Sequence, residues 1–362
     1  MTTLELVPVP RQACARPAPG ERITVGVDMA RNKWASAVHW GDAVHRQLAT
    51  PGALEHVQKL VGEFHPAHPV RVVYEACGFG YELAWWAQAV GVEVVVVAPS
   101  RVERVPGPRV KTDRLDAATL ATKGARGQLK GVAIPTRSQH EQRQLVRTYR
   151  QVRRERARLQ TAVRSLLQEH GRLGPAPASG WGPYERWLAT QALPAPVSVA
   201  VHELCALRQA AATSAARLVG PLHSLATQPA YRAVIAALTT QAGVGEFTAL
   251  RLVLEIGDPR RFPSAAAWVN GLGLTPSEYS SGTGPPRRGA IQKCGHTPLR
   301  AALVQCAWVA IRSDLTLRAV FDRLVPRAGK KRAIIAVARR LARRLRARWL
   351  AALPTAAAAA AR

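Results

Sequence analysis

Acidic side chains are scarce in this sequence: Asp and Glu number 23 against 51 Lys and Arg over 362 residues, a formal charge of +28. Such a chain repels itself unless a polyanion offsets the charge, and nucleic acid is the first partner this balance implies. A membrane surface would attract the same charge, but no apolar run approaches the ~18 residues a spanning helix needs, and no lipidation motif is present. A continuous hydrophobic core of the secretory kind is also missing from the first 21 residues, which carry Pro8, Pro10, Pro17 and Pro19 and read as a disordered lead-in. Cysteine is sparse and odd in number, five residues with no Cys-x-x-Cys pair, which argues against a disulfide framework or a thiolate zinc site. These absences predict a soluble, cytoplasmic protein, and the length of 362 residues allows two or three domains.

Against this shortage of acids, four carboxylates stand at informative places in the first third of the chain. Ile23 to Asp28, Trp34 to Trp40 and Ala43 to Ala49 read as a three-stranded antiparallel meander with a tight Gly41-Asp42 turn. Helical spacing follows over 52–64, a strand over 70–74, a helix over 81–90, and a nearly continuous apolar strand over 92–97 of the type buried on both faces. That order of elements is the α/β order of an RNase H-like (RuvC-like) domain. Asp28 then ends the first strand, Glu75 ends the fourth, and Asp113 with Asp116 opens the last helix, on one face at i,i+3. Singly each acid has an ordinary role available: a turn residue, a helix cap, an exposed charge. Jointly they suit two magnesium ions, with manganese able to substitute, about 4 Å apart, stabilising the entering and leaving oxygens of a phosphodiester displacement.

The strings Val25-Gly-Val-Asp28-Met-Ala-Arg-Asn-Lys33, Tyr74-Glu-Ala-Cys-Gly78 and Lys111-Thr-Asp113-Arg-Leu-Asp116-Ala117 resemble the DEDD-motif insertion-sequence transposases of the IS110/IS1111 type, the last string being the most specific. Farther on, Ile256-Gly-Asp-Pro, Gly271-Leu-Gly-Leu-Thr-Pro276, Ser280-Ser281-Gly282, Arg287 to Lys293 and Gly295-His-Thr-Pro-Leu-Arg300 run in the order of that family's carboxy-terminal transposase domain. The resemblance covers roughly 22–134 and 238–315. It implies a bacterial enzyme working at the nucleoid that cuts and rejoins donor and target DNA, guided by a structured RNA.

Between these regions the chain has no Gly or Pro from Arg137 to His170, and Leu145, Tyr149, Val152, Leu159, Val163 and Leu166 mark a heptad seam broken by Arg156. The rhythm returns at Val201, Leu204, Ala211, Ala215, Leu218, Leu222 and Leu225. Two long helices are expected, as a coiled-coil hairpin or paired between subunits; the family resemblance implies an arm that supports a dimer or tetramer. Arg143, Arg147, Arg150, Arg153 and Arg154 crowd the first helix and suit a phosphate-facing surface, although charged flanks also keep such helices soluble.

Gly243 and Gly245 read as a helix-hairpin-helix bend approaching a phosphate. Ser281 sits between apolar helices, followed by Arg287, Arg288, Lys293 and Arg300. Chemistry alone leaves it a polar turn or a nucleophile. The resemblance implies the nucleophile, and Ser281 is preferred to Ser280 because it directly precedes Gly282. A carboxylate or a metal-bound water is its expected proton acceptor, which requires the two domains to meet within one chain or across a dimer. From Pro326 to Arg348 there are ten basic residues and no acid; Lys330, Lys331, Arg339, Arg340, Arg343 and Arg344 are assigned to nucleic-acid backbone. The domains expected are 1–21 disordered, 22–134 metal-binding, 135–228 coiled coil, 229–350 transposase and 351–362 an alanine-rich tail. Three other readings are a junction nuclease that hydrolyses with water, an actin-like sugar kinase suggested by Val25-Gly-Val-Asp28 alone, and a non-catalytic nucleic-acid scaffold.

Overall fold

The computed structural model describes residues 16–99, 102, 113–176, 180–279, 287–292 and 294–353, and in these the side chains of Asp113, Arg114, Tyr279, Arg287 and Arg288 are not described. Most of the expected lead-in and of the alanine tail lies outside the described residues. The chain divides into two compact units, Met1–Arg137 and Ser138–Arg362.

The first unit is built on a mixed five-stranded sheet of order β3-β2-β1-β4-β5. Its elements are β1 (Ile23–Met29), β2 (Lys33–Trp40), β3 (Ala43–Pro51), α1 (Leu54–Gly62), β4 (Val70–Glu75), α2 (Glu82–Ala89), β5 (Glu93–Val97) and α3 (Asp113–Ala125). The first three strands are antiparallel, whereas β4 lies parallel to β1 and β5 parallel to β4. This is the order expected of an RNase H-like domain. Because side chains alternate across a strand, Val25, Val27, Val72 and Tyr74 share one face and bury against α1 and α2. Thr24, Gly26 and Val73 belong to the other face, which α3 covers. There the contacts are made by small residues: Ala35 and Ala37 of β2 pack on Ala117 and Ala121 of α3. At Gly26 even a methyl group has no room, since a Cβ would stand 2.5 Å from the backbone nitrogen of Ala121 and closer still to the carbonyl oxygen of Ala117. Glycine inside a strand marks such an approach of another backbone.

The second unit is helical apart from one hairpin. It contains α4 (Arg137–Glu169), α5 (Trp181–Leu188), α6 (Ala195–Ala226), α7 (Pro229–Thr239), α8 (Glu246–Ile256), α9 (Ala265–Gly271), β6 (Pro276–Tyr279), β7 (Arg287–Ile291), α10 (Thr297–Ala310) and α11 (Leu315–Ala352). Both long helices are present, but their burial is not that of a continuous coiled coil. In α4 the buried positions gather at the ends, Arg143 and Val146 at one and Val163 and Leu167 at the other. Val152, Arg156 and Leu159 between them are only half-buried, because Arg156 interrupts the apolar seam. The far end packs on Tyr184 and Val201, the near end joins the main core with Leu222 and Leu225. In that core Trp268 lies between Phe262 and Trp349, with ring centroids 5.3 and 6.0 Å away, and its Nε1 donates to Ala342 O at 2.8 Å. α11 breaks at Gly329, whose φ of 73° only glycine adopts cheaply. Asp314 spans the break: its carboxylate accepts from Leu317 N at the start of α11 and pairs with Arg344 beyond the break.

Candidate active site

Register decides what the first unit can do. Val27 of β1 lies opposite Tyr74 of the parallel β4. One residue on, Asp28 and Glu75 leave the carboxyl-terminal ends of neighbouring strands side by side, on the face that α3 covers. Both are half-buried. The Cys77 thiol reports the same edge: partial burial raises it, a backbone hydrogen bond at Phe79 offsets part of that, and the negative charges of Asp28 and Glu75 raise it further.

The third element arrives from above. Ala117 and Ala121 lie over Gly26 while Gly124 lies over Thr24 and Val73, so α3 runs antiparallel to β1 and its first turn points toward the Asp28 end. Asp113 opens that turn and Asp116 closes it, Asp116 half-buried. The donors are all carboxylate oxygens, the chemistry that hard divalent cations select. Among the described residues no three acids, histidines or cysteines are close enough to hold a metal together, and the Asp113 side chain is not among those described. Asp28 and Glu75 are the described acids that the register puts side by side at this edge.

Around this edge stand groups to which the sequence patterns give no pointer. Met29 Sδ lies 4.0 Å from Cys77 Sγ, and Phe79, 41% exposed, meets Trp34 edge-on at 6.1 Å. Deeper in the sheet Gly26 matters more than these, and unlike them it had a signal, a glycine in the middle of an apolar strand.

The second unit sorts the arginines assigned to nucleic acid. Arg143 is buried; its Nε donates to Leu254 O at 2.6 Å and its Nη2 to Glu255 O, so it closes the carboxyl end of α8, whose last carbonyls have no helical partners. Arg300 donates to Gly273 O at 3.1 Å and Gln292 O at 3.2 Å, and Arg344 is held by Asp314. Arg147 is paired with Glu255, and Arg153 lies over the Tyr149 ring. Arg150 and Arg154 line a cavity instead, and Arg339 and Arg343 line grooves beside α9 and along α11, the latter groove also bordered by Arg340. Lys330 and Lys331 are exposed. Replacing Arg143 by Met is therefore expected to cost the second unit about 2–4 kcal/mol, read by urea unfolding, with the salt dependence of nucleic-acid binding unchanged.

Of the helix-hairpin-helix pair, Gly243 has a φ of 83°, and a Cβ there would strike Cys306 O and Ala310 of α10, whereas Gly245 caps α8 with open space around it. Ser280, Ser281 and Lys293 lie outside the described residues. The elements bracketing residues 280–286 are the antiparallel strands β6 and β7, with Tyr279 opposite Arg287, where apolar helices were expected; alternation through Pro276 and Ser277 carries no helical period to distinguish. His296, the histidine nearest to Ser281 in sequence, is occupied on both ring nitrogens: Nδ1 accepts Leu299 N–H at 3.1 Å, and Nε2 faces Glu255 at 3.4 Å. The described cysteines are free thiols.

A sheet that ends in paired carboxylates, joined to a basic helical unit, describes a nuclease-like enzyme acting on nucleic acid, and comparison with known proteins specifies which. Residues 25–171 match a family model for DEDD transposases of IS110, and residues 235–322 match one described as Transposase IS116/IS110/IS902 family. A putative transposase, y4qE, of Sinorhizobium fredii is 33% identical over 294 residues, 78% of this chain and 70% of its own length. The transposase of insertion sequence IS1111A of Coxiella burnetii is 26% identical over 74% of both chains. The pilin gene-inverting protein of Moraxella lacunata is 23% identical over 88% of this chain and 92% of that one. The chain belongs to the IS110 family of DEDD transposases. It is a DNA transposase, divalent-metal-dependent as the DEDD domain requires, and no helix among the described residues is long and apolar enough to cross a membrane.

Proposed function

We propose that this transposase cuts and rejoins DNA with Asp28, Glu75, Asp113 and Asp116 holding magnesium and with Ser281 as the nucleophile. The observation that carries the metal reading is the register placing Asp28 beside Glu75 at parallel strand ends, with the first turn of α3 directed toward them. When bound, the ions would polarise the scissile phosphate and stabilise charge on both oxygens of the displacement. Ser281 Oγ forms a new bond to phosphorus as one phosphodiester bond breaks, leaving a free hydroxyl on the departing strand end. Attack by the hydroxyl of another strand then restores a phosphodiester and frees the serine. Because His296 has no nitrogen to spare, the acceptor of the serine proton would be a carboxylate or a water held by the metal, which would return a proton to the departing oxygen. Donor and target DNA are the substrates, a structured guide RNA supplies the sequence information, and a dimer or tetramer of this chain does the work. The charge of +28 supports both polyanionic partners.

The test is a covalent adduct. Protein, magnesium and DNA bearing the element ends are incubated with and without the element's non-coding RNA, then denatured. Adduct is expected from the unaltered protein and from Ser280→Ala, and none from Ser281→Ala. Adduct of full yield from Ser281→Ala would remove the assignment, and nicked DNA with no attached protein from the unaltered enzyme would make water the nucleophile.

A further inference from the structure

Within the second unit, α4 presents Arg147, Arg150 and Arg154 at i, i+3 and i+7, one face of a helix, toward His296 and Pro298 at the start of α10. With Glu255 they enclose a cavity of about 480 Å³. Glu255 is the fixed point of this wall. Its side chain is 6% exposed and takes both prongs of Arg147, Nε to Oε1 at 2.9 Å and Nη2 to Oε2 at 2.7 Å. Since His296 Nδ1 accepts from Leu299 N, the ring hydrogen sits on Nε2, toward the same carboxylate. Burial pushes the Glu255 carboxyl up, but the bonds from His296 and Arg147 outweigh it and hold the group well below the usual carboxylate range. Arg147 is thus neutralised and locked.

Arg150 and Arg154 differ from it. Neither has an ion pair or hydrogen bond among the described residues, and the one other acid on the cavity wall, Glu155, is taken by Arg158. Behind them Arg251 is buried with Nη2 unpartnered, adding a further positive charge. Two open guanidiniums one turn apart suit anionic oxygens. The first amides of α10 are already bonded within the helix start, so recognition falls to the arginines.

We propose that this cavity seats backbone phosphates of a nucleic-acid strand, gripped by Arg150 and Arg154, with Arg147, Glu255 and His296 positioning the wall that carries them. The proposal deepens the reading of the enzyme as one that grips nucleic acid, and it is independent of which serine reacts.

The experiment measures binding of the full-length protein to a DNA duplex and to an RNA duplex of the same sequence, by fluorescence anisotropy from low to high sodium chloride. For Arg150→Gln/Arg154→Gln the slope of log K against log salt is expected to become shallower by about 2, one for each phosphate no longer neutralised, on at least one duplex, which also assigns the strand type. Arg150→Lys/Arg154→Lys should restore the slope, which a folding defect would not allow. The control pair Arg217→Gln/Arg232→Gln, away from the cavity, should leave it unchanged. An unchanged slope in the first variant, an equal loss in the control, or no binding of either duplex by the unaltered protein would each overturn the proposal. Adduct formation is read separately, with magnesium, element-end DNA and the element's RNA: a shallower slope in the glutamine variant with no adduct from the unaltered enzyme would keep the cavity and remove Ser281.

Discussion

Gly26→Val is expected to destabilise the first unit by about 3 kcal/mol or more, at the upper end of what overpacking costs. The usual reservoir for relief, a side chain that swings aside, does not exist here. The obstructing atoms are the Ala117 carbonyl and the Ala121 nitrogen of α3, and α3 in turn lies on Ala35 and Ala37 of the neighbouring strand. Hydrogen exchange across β1 and α3 reads the effect directly, and loss of metal-dependent cleavage should accompany it, because the turn bearing Asp113 and Asp116 would be lifted from the sheet edge. Gly62→Ala is the control: beyond its chain neighbours and the backbone of its own helix nothing lies within 4 Å of its added Cβ, and it should be neutral or slightly stabilising. Unchanged exchange in Gly26→Val would mean that α3 does not sit on β1 in this way.

The second large effect concerns charge without change of shape. Asp28→Asn and Glu75→Gln are each expected to lower the rate of strand cleavage by about a thousandfold or more, the value of several kcal/mol of lost transition-state stabilisation. Stability should be nearly untouched, since both side chains stand half-buried at the edge of the sheet and not in its core. Single-turnover cleavage at rising magnesium, with thermal unfolding alongside, separates the two quantities. A variant retaining a tenth of the normal rate at saturating magnesium would take that residue out of the metal site.

The first unit was largely legible from its residues, and the reason is local. Alternation in β1 and β2, the nearly continuous apolar run of β5 and the helical spacing of α1 each point to a single element, although β5 lies at the edge of the sheet and buries only Val96 and Val97 where burial on both faces was expected. With the element order known, the acids at 28 and 75 fall at neighbouring strand ends, and those at 113 and 116 fall in the first turn of α3. The kinase alternative rested on Val25-Gly-Val-Asp28 alone, and the family match disposes of it. Less of the second unit could be read, because its arginines look alike in sequence and differ only in what lies opposite them. Arg143 and Arg150 are two turns apart on one helix, yet a carbonyl from residue 254 occupies the first and nothing described occupies the second. Glu255 escaped notice as a lone acid in the apolar helix Ala249-Leu-Arg-Leu-Val-Leu-Glu-Ile256. A period cannot show partners that are 108 residues away.

Several internal guanidiniums donate to neutral peptide oxygens: Arg143 to Leu254, Arg300 to Gly273 and Gln292, Arg346 to Phe262. Mobile ions weaken attraction between separated charges far more than they weaken short hydrogen bonds of this type. Rising salt is therefore expected to weaken attraction at the outer arginines well before it disturbs these inner ones, so that the fold should outlast the grip on a polyanion.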